Sequence, residues 1–143
     1  MTPKQARAYI EQAFKAEWGT TVPIDYNNDM QAVPQAPFVR LTVRNGGASR
    51  ADSMSGESIR YERFGIAFVQ IFTQLGVGPA LADDLARKAA DILEGRSFGF
   101  ANNDVLWMSA ATQTDIGNND MGHWQVNVSV PFTFADYREK RYA

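Results

Sequence analysis

The sequence predicts an α+β domain: a mostly antiparallel sheet of about four to five strands with two helices, in the order α-β-β-β-α-β-β. Three observations predict it. Phe64 to Phe72 is a nearly unbroken apolar run rich in β-branched and aromatic residues, with Gln70 its one polar side chain. Such a run describes a strand covered on both faces. His123 to Phe134 alternates strictly, with Trp124, Val126, Val128, Val130, Phe132 and Phe134 on one side. Two segments, one running from Thr2 to a stop at Gly19 and one from Pro79 to a stop at Gly95, carry apolar residues at helical spacing.

The elements follow in order. Thr2 caps the first helix, Pro3 suits its first position, and Gln5 stands where a capping box places Glu or Gln. Ala6, Tyr9, Ile10, Ala13, Phe14 and Trp18 form its stripe, and Gly19 ends it. Thr20 to Tyr26 is a short strand which Pro23 confines to a sheet edge. Asn27 to Pro37 is a loop. From Pro37 to Arg44, Val39, Leu41 and Val43 oppose Phe38, Arg40, Thr42 and Arg44. Residues 45–58 carry no periodic signal and are expected to form a long mobile hairpin loop, of the kind that is either functional or disordered.

After the central strand, Gly76 to Pro79 turns the chain into the second helix. Leu81, Leu85, Ala89 and Ile92 are expected to form its buried stripe and Gly95 to stop it. Phe98 and Phe100 lie in a connection. Asp104 to Gly117 is expected as one strand, with Val105, Trp107, Ser109 and Ala111 on one side. A turn rich in Asn, Asp and Gly leads to the last strand. Pro131 there needs a bulge, or its missing donor must face outward. Residues 135–143 form a polar C-terminal tail.

The chain has 143 residues, 45% hydrophobic and 21% charged, which suits one domain spanning 1–143. A net charge of −2 argues against specific or bulk nucleic-acid binding, although the arginines could line a channel that DNA passes through. With no cysteine there is no disulfide and no thiolate zinc site. Neither a signal core nor a membrane-length apolar run is evident, so synthesis in the cytoplasm and no membrane partner are expected.

No catalytic constellation stands out. His123 is the sole histidine, and its place after a polar turn fits an exposed structural role. Asp115, Asn118 and Asp120 are a loose oxygen set that matches no calcium loop. Gly76-Val77-Gly78 lacks the lysine of a phosphate loop. Trp18, Trp107 and Trp124 lie on apolar stripes, which predicts core positions. The expectation is therefore no enzyme, no cofactor and no metal.

Three stretches carry a resemblance. Gly65-Ile66-Ala67-Phe68-Val69-Gln70-Ile71-Phe72 with Gly76 and Gly78 resembles the central strand and turn of phage tail terminator-like proteins. Gly122 to Phe132 resembles their last strand with its Pro-Phe ending, and Pro37 to Leu41 their first long strand. The resemblance covers nearly the whole chain. It implies a structural virion protein of long, flexible, non-contractile tails, without catalytic residues, sited at the head-proximal end of the tail. Such proteins form a ring, typically a hexamer, on the last ring of the tail tube protein, end tube growth and meet the head-side connector protein.

The candidate interface is the 45–58 loop with its flanking arginines: Arg40, Arg44, Asn45, Arg50, Asp52, Glu57, Arg60 and Arg63. A solvated sheet face is the plainer account of those arginines. Other functions consistent with the sequence are another head–tail joining or tail-completion protein and, more distantly, a small-ligand-binding or hydrolytic α+β domain.

Overall fold

The structure, a computed structural model, describes residues 1–26, 34–52, 58–99, 104–139 and 141, with backbone only at 51 and 52. It contains α1 (Pro3–Trp18), β1 (Ile24–Tyr26), β2 (Phe38–Asp52), β3 (Ser58–Gln74), α2 (Ala80–Leu93), β4 (Ser97–Phe98), β5 (Leu106–Met108), β6 (Thr112–Asn118) and β7 (His123–Glu139). The helices form where the sequence places them. Thr2 accepts from the Gln5 amide while the Gln5 side chain accepts from the Thr2 amide, a complete capping box.

The sheet corrects the expected architecture. Seven strands lie in one mixed sheet, ordered β1-β2-β3-β7-β5-β4 with β6 beside β7, rather than four or five mostly antiparallel strands. Mixing comes from β1, which runs parallel to β2 and pairs Ile24 with Val39. The surplus strands come from the segment between α2 and β7. One long strand was expected there. Instead β5 pairs with Phe132–Phe134 and β6 with Trp124–Ser129 along the same edge of β7.

Pro131 explains the break. Its carbonyl accepts from the Ser109 amide (2.8 Å) on that edge, at the gap between β5 and β6. The donor proline lacks would point to the same side, where no strand needs it.

Parity also differs along this edge. Leu106 and Met108 are buried, whereas Trp107 is 53% exposed, so its expected core position is corrected. The short β5 turns its even residues towards the core. Phe98, in β4, is buried and covers the same end.

Both helices pack on a single face of the sheet. Ala6, Ile10, Phe14 and Trp18 from α1 join Ala82, Leu85, Ala89 and Leu93 from α2. They rest on Val39, Leu41 and Val43, on Ala67, Val69 and Ile71, and on Val126, Val128, Val130, Phe132 and Phe134. On the other face the expected cover of the central strand is present at Phe72, which is buried against Phe38, but among the described residues it is missing further along. There Phe64 is 40% and Ile66 36% exposed.

The central hairpin is longer than its apolar run. β2 continues to Asp52 and β3 begins at Ser58, so the described part of 45–58 is paired strand; residues 53–57 lie outside the described set. β7 stays paired with β3 as far as Glu139, which takes 135–139 into the sheet as well. These three strands run past the helices as an arm. At its base the Met1 ammonium pairs with Asp104 (2.8 Å) and donates to the Ala135 carbonyl (3.1 Å).

Candidate interaction surface

The predicted interface residues divide between the two faces of the sheet. Arg40 and Arg44 stand on the face without helices, opposite Gln70 and Ile66. Arg40 pairs with Asp25 at 2.8 Å and lies over the Phe72 ring; Arg44 lies over the Phe68 ring. Arg60 shares this face further along the arm and pairs with Glu62 at 3.1 Å. Thr42, Arg44, Phe68, Gln70 and Asn127 line a shallow depression of about 210 Å³. The surface is thus an apolar strip, Phe64-Ile66-Phe68, bordered by guanidinium, amide and hydroxyl groups.

Arg50 and Arg63 lie on the opposite, helix-side face. A bulge causes this for Arg50. The register runs Asn45 to Gly65 and then Ala48 to Arg63, so one extra residue of β2 enters at Gly46–Gly47. Beyond it, parity along β2 is reversed. Arg50 opposes Tyr61, and Arg63 pairs with Asp136 at 2.7 Å. Asn45 is the last residue before the bulge and is exposed. The Asp52 backbone pairs with Arg60, and Glu57 lies outside the described residues.

Two open hollows meet on this side. One, about 720 Å³, is lined by Thr2, Pro3, Arg63, Asp136, Arg138 and Arg141 among others. Its neighbour, about 430 Å³, is lined by Arg50, Ile59, Tyr61, Arg63, Arg138 and Arg141 among others. Arg138 and Arg141 escaped the sequence analysis because they sat in what read as a polar tail. The sequence carried no signal for them: beyond Phe134 the apolar phase shifts to Ala135 and Tyr137, which breaks the pattern of β7, and Arg141 lies past its end.

The other singled-out groups have structural surroundings. His123 is half-buried, edge-on to Phe38 and Phe72 with ring centres 5.8 Å away in both cases. Its position corrects the expected exposed histidine. Its Nδ1 has no hydrogen-bond partner among the described residues. Asn119 organises the preceding turn, accepting from the amides of Met121 (3.0 Å) and His123 (2.9 Å). Gly76 and Gly78 adopt φ of 83° and 81° and make the turn into α2. Among the described residues there is no group of three or more acidic or histidine side chains placed to hold a metal, and no helix long and apolar enough to cross a membrane.

No family model matches the chain, and no curated protein is similar to it. Several solved chains are similar to it; one of them, whose name states no activity, matches over 100% of this chain and 99% of its own, at 18% identity and a TM-score of 0.65. Identity that low shows a shared fold alone.

Proposed function

We propose that this protein is a structural subunit that caps a phage tail tube, ends tube growth and presents a joining surface to the head-side connector. The observation that carries the proposal is the part of the helix-free sheet face that the described residues leave open. β3 shows Phe64 and Ile66 to solvent at 40% and 36%, between strands bearing Arg40, Arg44, Asn127 and Ser129. An apolar strip with a polar border fits a protein contact. The depression on this face holds about 210 Å³ and is shallow, which suits a flat partner better than a small substrate. The sequence resemblance to tail terminators supplies the identity of that partner.

The test adds purified protein to polymerising tail tube protein, with tube length and tube ends read by electron microscopy. Tubes should stop short and carry extra density at one end. Arg44→Glu with Arg60→Glu should weaken docking while the circular dichroism stays that of the wild type. Unchanged tube growth with bare ends would refute the capping role. Binding to a portal ring in place of tube ends would move the protein to the neck.

A further inference from the structure

The arginine-lined hollow on the helix side of the arm has a chemical counterpart on the same chain. We infer that copies associate with one another, the acidic corner formed by α2 and β6 of one copy seated against the hollow of another. This deepens the ring reading above, but it stands on charges and places described here.

The hollow gathers Arg50, Arg63, Arg138 and Arg141 around Tyr61 and Ile59, with Glu139 also in its lining, so guanidinium groups outnumber carboxylates there. Asp136 neutralises Arg63. Arg50, Arg138 and Arg141 have no carboxylate partner among the described residues. Guanidinium groups held on a strand framework suit carboxylates, which they bind in two-pronged fashion.

The acidic corner is built by Asp83, Asp84 and Asp115. The Gln113 amide donates to Asp83 at 3.1 Å and to Asp115 at 3.5 Å, drawing the two carboxylates together without neutralising them. None of the three has a cationic partner among the described residues, whereas Asp91 on the same helix is paired with Arg87.

Placement decides that the contact is made between copies. Asp115 lies beside Val126 and the hollow beside Arg138, twelve residues further along β7. At strand rise this is about 40 Å. Two complementary patches that far apart cannot satisfy each other within one copy. Joined between copies, they are satisfied either twice about a two-fold axis, which stops at a dimer, or once per contact in a head-to-tail series, which closes into a ring or extends as a fibre; the mass of the assembly tells the two apart. Pairing along the free edge of β2 is the weaker route, because the Gly46–Gly47 bulge and a second register shift after Arg50 interrupt the ladder there.

The experiment measures mass in solution by sedimentation, across protein concentration and at low and high salt, without tubes. Wild-type protein should associate at low salt and dissociate as salt rises. Arg138→Glu with Arg141→Glu, and separately Asp83→Lys with Asp115→Lys, should each associate about tenfold or more weakly, since like charges then face each other. Mixing the two variants should restore association, because every contact regains opposite charges. A wild type that stays monomeric at low salt overturns the inference. So does a variant that assembles as well as the wild type, or a mixture that fails to recover while both variants keep the wild-type circular dichroism. A wild type that stays monomeric yet binds a short DNA duplex through the hollow would assign the arginines to a polyanion instead. Association that responds as expected beside tubes left uncapped would count against the proposed function alone.

Discussion

Replacing Gly65 by alanine tests the packing at the centre of the sheet. Gly65 lies in β3 opposite Phe132 of β7 and opposite Asn45 of β2. A methyl group there would sit 2.3 Å from Phe132 Cζ, 2.8 Å from its Cε1 and 2.5 Å from the Arg44 carbonyl oxygen. The ring is fully buried and stacked on Phe134, so it has little room to withdraw. The carbonyl is backbone and cannot turn aside. Overpacking of this kind costs about 1–3 kcal/mol, and the backbone contact places Gly65→Ala towards the upper part of that range. Phe132→Ala alone should cost about 3–5 kcal/mol by emptying the ring's site. In the double variant the ring clash is gone and the carbonyl clash remains. Its loss should therefore fall short of the summed single losses by about 1 kcal/mol. Urea unfolding followed by tryptophan fluorescence gives all three values. A Gly65→Ala stability within about 0.5 kcal/mol of the wild type, or strict additivity in the double variant, would refute this account of the glycine.

Two further predictions concern polar groups. Arg63→Met leaves the Asp136 carboxylate, 10% exposed, without its 2.7 Å partner and should cost about 1–3 kcal/mol. Arg87→Met breaks a pair exposed at 80% and 62% and should change stability by less than about 0.5 kcal/mol, so equal effects in the same urea assay would contradict the burial argument. Burial, and secondarily the Glu11 carboxylate, raise the Tyr26 hydroxyl above its ordinary 10.0. The folded chain then keeps this proton after the unfolded chain has released it. The associated stability is complete below pH 10.0 and is lost as pH climbs through the raised value. Thermal melts over that range should show a shallower alkaline decline in Tyr26→Phe than in the wild type, and identical slopes would remove Tyr26 from the account.

Local chemistry was legible in the sequence wherever a signal is completed within a few residues. Thr2, Pro3 and Gln5 specify the start of α1 because the cap closes over one turn. The alternation in β2 and β7 marks the residues that meet the helices, since a strand's two faces differ at every step. Pro23 at the edge follows from its missing donor.

Tertiary structure decided what depends on partners distant in sequence. The expectation of one strand across 104–117 failed because the edge of β7 takes two partners, and Pro131 sets where one gives way to the other. An apolar run alone does not say whether a second layer exists, so Phe64 and Ile66 read as covered although they face solvent. The arginines at 40, 44 and 50 share a parity in sequence and appeared to belong to one surface. One added residue at Gly46–Gly47 sends Arg50 to the other face, beside Arg63, Arg138 and Arg141. The sequence by itself determined which residues alternate. Only the pairing of β2 with β3 decided which face each arginine occupies, because side-chain direction in a sheet is set by register, and register is a property of two strands.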